Sequence, residues 1–414
     1  MTNPNPSPNP SPNPNPIPTP NKWGYFLLGL LTALVVFAVG VGSRSIYTYL
    51  RSPHTIGPGQ TSDGEMVDES LMNEAWEIIK DDFYGSLPSE QKRTYGAITG
   101  SLQKLDDPYT YFIEPEPAGR EQERLQGKFG GIGAYLTLNE KGEVVLEPMV
   151  DRPAARAGVQ KGDILIAVDG QEIIPPADLD EVIDMIRGEV GTKVNLTLKR
   201  GDKSLDVAVE RAEIELPSVS WRAIDEAPQT GYIRIEHFSG LTDKEFTQAL
   251  KELKDQGADK ALIIDLRGNP GGLVDAAVAV ASHFLDGGTV LIEKHADGSK
   301  KEYKAQPSTT IPPEIPIIIL VDANTASAAE ILAGALQDRK RATLVGEKTY
   351  GKGSIQRIHR LSDGSAVHVT FAKWFTPNDR VIDGQGLSPD VEVTSSPDHD
   401  SFMKKALELL SKQK

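Results

Sequence analysis

The spacing of apolar side chains divides this chain into segments of different period. Residues 1–22 alternate Pro with Asn, Ser and Thr. Such a tract has little apolar surface to bury and predicts an extended, disordered tail. Residues 23–42 carry no charged side chain, and a helix needs about 20 apolar residues to cross the hydrocarbon core. Trp23 and Tyr25 stand at one end, where amphipathic rings favour a membrane interface. The segment predicts a transmembrane signal anchor. Its rival is a signal peptide cleaved after Ala38-Val-Gly40, against which the length of the apolar run counts. Residues 43–63 form a Gly/Ser/Pro linker. Over residues 64–126, Leu71, Ala75, Ile78, Ile79 and Phe83 share one helical face and predict a small helical region.

Between residues 127 and 212 the pattern becomes strand-like, with glycine turns. A strand is predicted after Gly130-Gly-Ile-Gly-Ala-Tyr-Leu136 begins, a helix over Leu179–Arg187 and a strand over Lys193–Lys199. From 213 to 398 strands and helices alternate. Tyr232–Ile235, Ala261–Ile264 and Ile315–Val321 read as strands, the last two as buried ones. Thr242-Asp-Lys-Glu245 has the spacing of a capping box and predicts the start of an amphipathic helix with Phe246, Leu250 and Leu253 inward. Further helices are predicted near 272–285 and 326–338, and a C-terminal helix near Phe402–Leu410 within residues 399–414. The predicted fold class is α/β and multidomain.

Composition removes several functions. The chain has 414 residues, 39% hydrophobic and 25% charged, which describes a globular protein of more than one domain. Its net charge is −15 and no basic run tracks a phosphate backbone, so nucleic acid is not an expected partner. The absence of cysteine excludes a thiolate nucleophile, disulfides and cysteine-bound zinc. The seven histidines are scattered without a metal-ligand spacing, so neither a metal nor another cofactor is expected.

Three polar residues stand in small-residue segments. Ser327 lies in Asn324-Thr-Ala-Ser-Ala-Ala-Glu-Ile331, at the predicted start of an Ala-rich helix. Such a turn can present a hydroxyl beside free helix N–H groups; it equally suits a serine that only caps the helix. Lys352 follows 25 positions later between Gly351 and Gly353, and Gln356 follows four positions after it. A loop lysine is ordinarily a solvated charge. It becomes a base only if burial keeps it neutral near pH 7. A Ser-His-Asp arrangement through His359 or His368 is the competing mechanism on the same serine, although no motif flanks either histidine.

These segments, their order and their spacing resemble the carboxyl-terminal processing, or tail-specific, serine proteases, from about Glu65 to Pro389. The resemblance implies a PDZ-like β/α domain inserted before a layered α/β protease core. It implies Ser327 as nucleophile, Lys352 as general base and Gln356 as the group that orients the lysine. If the stretch is extended, residues 352 and 356 face one side, and a neutral amide there accepts from the amine without charging it. It further implies an oxyanion hole from the N–H of Ala328 and of Gly271 or Gly272 in Leu266-Arg-Gly-Asn-Pro-Gly-Gly272. Gly131, Ile132, Gly133 and Ala134 then form the loop that captures a substrate's C-terminal carboxylate. Ala134-Tyr135 departs from the commonest Gly-Leu-Gly-Phe form. Arg187 is a candidate bridge between the PDZ domain and the core. The expected partners are proteins or peptides with exposed C-terminal tails, the membrane through residues 23–42, and, as in some relatives, a second copy of the chain. The charges flanking 23–42, Lys22 against Arg44 and Arg51, orient the chain only weakly and lean against an exported body. The resemblance places the body outside the cytoplasm, anchored or, after cleavage, secreted. The alternative reading is an inactive PDZ scaffold or an envelope-binding protein.

Overall fold

The computed structural model describes residues 69–307, 310–394 and 400–412. The predicted tail, anchor and linker lie outside them, and among the described residues no helix is long and apolar enough to cross a membrane. The chain divides into two compact units, Met1–Leu87 and Pro88–Lys414.

The first unit contributes helix α1 (Glu69–Asp82). Its apolar residues recur as expected but stay exposed, Leu71 at 62% and Ile78 at 56%, and Phe83 just past its end is exposed too. Periodicity reports helical geometry, not what covers the face.

The second unit opens with α2 (Glu90–Leu102), whose first turn is capped by the Ser89 hydroxyl. Strand β1 (Tyr111–Ile113) and helix α3 (Pro115–Gln126) follow. Proline at the start of α3 needs no N–H acceptor there, and Gly127 ends the helix in a left-handed conformation. β2 (Lys128–Gly131) then leads into a β-rich domain. That domain contains β3 (Ala134–Leu138), β4 (Val144–Pro148), α4 (Pro153–Arg156), β5 (Asp163–Val168), β6 (Gln171–Glu172), α5 (Leu179–Ile186), β7 (Lys193–Arg200) and β8 (Lys203–Glu210). Its sheet runs β3-β4-β5-β7-β8, with β6 on β5. Val144, Leu146, Leu165, Val182, Ile186, Leu196 and Leu198 close its own core. β9 (Ala212–Glu215) returns antiparallel to β2, so chain entry and exit are one two-stranded ribbon.

The remaining elements build the layered core. They are β10 (Val219–Ile224), β11 (Ala227–Ile235), α6 (Thr242–Asp255), β12 (Ala261–Asp265), α7 (Val274–Ser282), β13 (Thr289–His295), β14 (Lys300–Lys304), β15 (Ile317–Val321), α8 (Ala328–Asp338), β16 (Thr343–Gly346), β17 (Ser354–Arg360), β18 (Ala366–Phe375), β19 (Val391–Glu392) and α9 (Ser401–Ser411). One sheet runs β10-β11-β12-β15-β16-β19, parallel from β11 onward. Both faces of its central strands are buried, and alternate residues serve opposite cores. Ile317, Ile319 and Val321 pack with α6, α7 and α8. Ile318 and Leu320 pack with Phe402, Ala406 and Leu410 of α9. A second sheet, β1-β18-β13-β14 with β17 on β18, lies at the side of this core.

One local expectation fails. Leu241, not Thr242, precedes α6, and the Thr242 hydroxyl is drawn into bonds with Ser218 and Ser239. Glu245 does not cap the helix either. Its carboxylate accepts from the N–H and hydroxyl of Ser218 and from the Val219 N–H, fastening α6 to the start of β10. The capping-box spacing is a local signal, and tertiary acceptors outbid it.

Candidate active site

Ser327 stands where β15 hands over to α8. The turn is folded by Asp322 and Thr325: the Asp322 N–H donates to the Thr325 hydroxyl at 2.9 Å, and the Asp322 carboxylate accepts from the Asn324 N–H at 3.0 Å. The Thr325 hydroxyl in turn donates to the Leu266 carbonyl at 2.9 Å, tying the turn to the end of β12. Ser327 then adopts φ 55° and ψ −117°, a region that side chains other than glycine rarely occupy and that persists only where the surroundings enforce it. A strained strand-to-helix elbow lifts a hydroxyl clear of the sheet edge, beside the unpaired N–H groups of the helix.

What holds the elbow is Glu330, a residue the sequence reading passes over. Its side chain is fully buried. It accepts from the Ser327 N–H at 2.9 Å, the Lys352 N–H at 2.9 Å, the Gly351 N–H at 2.8 Å and the Thr349 hydroxyl at 2.5 Å. One carboxylate therefore fixes both the serine and the lysine segment. Burial pushes the Glu330 carboxyl up, and the four donors act against that shift. Ser327-Ala-Ala-Glu330 has capping-box spacing, the one sequence signal that could have found it.

Lys352 lies at the mouth of β17. Its amine has no hydrogen-bond or ion-pair partner among the described residues, and lies 5.3 Å from the Tyr109 ring centroid. Burial pushes its pKa below the ordinary lysine value, while the more distant charge of Glu121 pulls partly back. Ser327, Lys352, Gln356, Gly271 and Gly272 all line one cavity of about 220 Å³. Within it the serine hydroxyl and the lysine amine are not hydrogen-bonded to each other. Such contacts often tighten only when substrate is bound.

Gln356 lines the cavity but does not meet the lysine. Lys352 lies before the strand begins at Ser354, so strand alternation does not align the two side chains, and the Gln356 amide donates to the Ser354 hydroxyl at 2.7 Å. Gly271 is also corrected. Its N–H is taken by the Asn269 side-chain oxygen at 2.8 Å, so it is not a free donor. Gly272 differs. The Phe238 N–H donates to the Gly271 carbonyl and the Leu273 N–H to the Phe238 carbonyl, which turns the N–H of the intervening Gly272 away from Phe238. Ala328 is the first residue of α8, where an N–H has no acceptor within the helix.

Of the competing histidines, His359 is exposed, whereas His368 lines the cavity. The His368 ring stacks on Tyr111 at 4.6 Å and its Nε2 lies 2.9 Å from Glu121, whose carboxyl it holds below the usual range. It makes no hydrogen bond to Ser327. In the β-rich domain, Gly131 pairs with Ala212 in β2 and Ala134 opens β3 opposite Pro148. Between them Ile132 is buried, and its N–H and that of Gly133 donate to no backbone carbonyl among the described residues. Arg187 does not reach the core sheet. It lies over the Phe129 ring at 4.4 Å and 3.8 Å from Glu123 of α3.

Residues 229–393 match the pattern of peptidase family S41, and residues 144–200 that of a PDZ domain. The carboxy-terminal processing protease CtpA of Bacillus subtilis is 35% identical over 373 residues, which are 89% of this chain and 76% of the relative. The chain belongs to the carboxy-terminal processing proteases. A carboxyl-terminal-processing protease of Synechocystis sp. is similar too, 36% identical over 80% of this chain and 78% of its own. The structure of a photosystem II D1 C-terminal processing protease shares 33% identity, covering 79% of this chain and 89% of that one, with a TM-score of 0.45. The protein is thus a serine-type peptidase of family S41 carrying a PDZ domain.

In this protease Gly271 leaves no room for a side chain. A Cβ there would lie 2.7 Å from the Ser327 Cβ and 2.9 Å from the Ala328 nitrogen, at φ 101°. Gly271→Ala is expected to lower kcat about 10²-fold by displacing the elbow. Steady-state kinetics on a peptide substrate measure it, and an unchanged kcat contradicts the packing argument.

Proposed function

We propose that this protease binds the C-terminal tail of a protein substrate on its PDZ domain, residues 127–212, and cuts a peptide bond upstream in the core, residues 213–398. The observation that carries the reading is the Lys352 amine: desolvated, free of any carboxylate partner, and in the same cavity as a serine on a strained elbow. As the Ser327 Oγ attacks the scissile carbonyl, Lys352 Nζ takes its proton. The N–H groups of Gly272 and Ala328 stabilise the oxyanion that develops. When the C–N bond breaks, the lysine returns the proton to the departing amine and leaves an acyl ester on Ser327. Water then attacks the ester as Lys352 Nζ takes its proton; the acid departs and the lysine returns the proton to Ser327 Oγ. Gln356, which lines the same cavity, orients the lysine once substrate is bound. The free N–H groups of Ile132 and Gly133 are the donors for the tail carboxylate, with Gly131 and Ala134 fixing them in the flanking strands. Residues 23–42 anchor the chain in a membrane, with the catalytic body on the extracytoplasmic side.

The test compares wild type with Ser327→Ala on an unstructured protein bearing an apolar C-terminal tail. Wild type is expected to cleave it, and to do so at least about 10-fold more slowly when the tail ends in a carboxamide. Ser327→Ala is expected to bind the tail and cut nothing. Equal cleavage by both proteins would sink the assignment, and binding without cleavage by wild type would favour the scaffold.

A further inference from the structure

The cavity leaves one feature unexplained: an ion network behind the glycine loop that extends to the C-terminal helix. Asp265, at the end of β12, is fully buried. Its carboxylate accepts from the Arg267 backbone N–H at 2.9 Å, from Arg267 Nε at 2.9 Å and from the Tyr232 hydroxyl at 2.7 Å. Arg267 shares its Nη2, which donates to Asp265 at 2.5 Å and to one Asp400 carboxylate oxygen at 3.0 Å, while Nη1 donates to the other Asp400 oxygen at 2.8 Å. Its guanidinium carbon also lies 5.4 Å from the centroid of the Phe402 ring. The two carboxylates raise the affinity of Arg267 for its proton and outweigh the opposing effect of its burial.

From Arg267 the connections run toward the reaction. The Gly268 N–H donates to Asp322 of the serine turn at 3.0 Å. The Asn269 carbonyl accepts from the Ala326 N–H at 2.9 Å, one residue before the nucleophile. The Asn269 side chain accepts from the Gly271 N–H at 2.8 Å and donates to the Ile235 carbonyl at 2.8 Å. The loop that offers Gly272 to the cavity is thus held on the serine side by Asn269 and Asp322, and on the far side by Arg267.

We propose that Asp400, at the N-terminus of α9, is a positioning residue for the oxyanion loop, so that docking of the C-terminal helix sets the catalytic rate. It rests on the reading in which Gly272 donates to the oxyanion. A paired fork fixes the guanidinium in plane as well as in place, and Arg267 carries that constraint into the backbone two residues after β12. The sequence offers no hint of this pairing, since the partners are 133 positions apart.

Asp400 has a second task, accepting from the Met403 N–H at 3.0 Å as the cap of α9. Asn caps a helix as well as Asp. Asp400→Asn therefore keeps the cap and removes the charged fork. Because Asp400 is 45% exposed, its ion pair adds little to global stability. The expected result is a kcat about 10-fold lower, with KM and the denaturant midpoint near wild type. In an Arg267→Lys background, which lacks the fork, the same substitution is expected to change kcat less than 2-fold. Ser327→Ala is assayed alongside. If it is active, the reading of the serine has failed; if it is dead, the Asp400 comparison stands by itself. An unchanged kcat in Asp400→Asn overturns the proposal. So does a fall that tracks a lost midpoint, or one that persists in full in the Arg267→Lys background.

Discussion

Replacing Lys352 by arginine is expected to lower kcat by about 10⁴-fold or more, the scale of removing a member of a catalytic unit that works as one. Arginine keeps the charge and most of the length but cannot give up its proton near neutral pH. Burial has already pushed the Lys352 pKa down, because an ammonium in this half-enclosed cavity loses water and gains no carboxylate partner. In the proposed mechanism the free amine is the working form, so activity should rise with pH through the lysine pKa, at a pH below that of an ordinary lysine. Glu121 is the group that opposes the shift. Glu121→Gln removes a negative neighbour, disfavours the ammonium and should move the acid limb of the kcat/KM profile to lower pH. Stopped-time peptide assays across pH on the three proteins measure both effects. Wild-type turnover in Lys352→Arg, or an acid limb that moves upward in Glu121→Gln, contradicts the base assignment.

Glu330→Gln is expected to lower kcat/KM about 10²–10³-fold and to destabilise the fold by about 2–3 kcal/mol. Every one of the four groups around Glu330 is a donor to it. A carboxylate offers two accepting oxygens. An amide offers one, and turns an NH₂ against backbone N–H groups that have no other acceptor. The Thr349 hydroxyl can turn a second lone pair toward the amide, but that relieves only its own contact and leaves at least one backbone N–H facing the NH₂. The loss is thus expected both in stability, read as a denaturant midpoint, and in rate, since the serine elbow and the lysine segment share this one anchor. Displacing either by about 1 Å costs on the order of 10²-fold. A glutamine variant with wild-type kcat/KM would show that the carboxylate does not set the site.

How much of this was legible beforehand differs by element. The buried runs Ala261–Ile264 and Ile315–Val321 became the central parallel strands Ala261–Asp265 and Ile317–Val321, because long apolar runs suit strands covered on both faces. The helices expected over Leu179–Arg187 and near 326–338 formed as Leu179–Ile186 and Ala328–Asp338. The α1 face was legible as a helix and not as a buried one, since nothing in a period names a partner. The Thr242-to-Glu245 box failed for a related reason: Ser218 and Val219, far away in sequence, offered the carboxylate better donors.

The sequence by itself determined the membership and the chemistry on offer: a serine, a lysine and a glycine loop in fixed order, with no cysteine or metal-ligand spacing to compete. Local pattern suffices there because residue type and spacing carry that information. The Asn269 side chain engages Gly271 locally, two residues on, but only tertiary structure brought Phe238 alongside the loop and turned the Gly272 N–H away from it. Tertiary structure alone brought Glu330 under both catalytic segments and Asp400 against Arg267. Hydrogen bonds are satisfied by whatever the fold places within about 3 Å, and distance along the chain has no say in that.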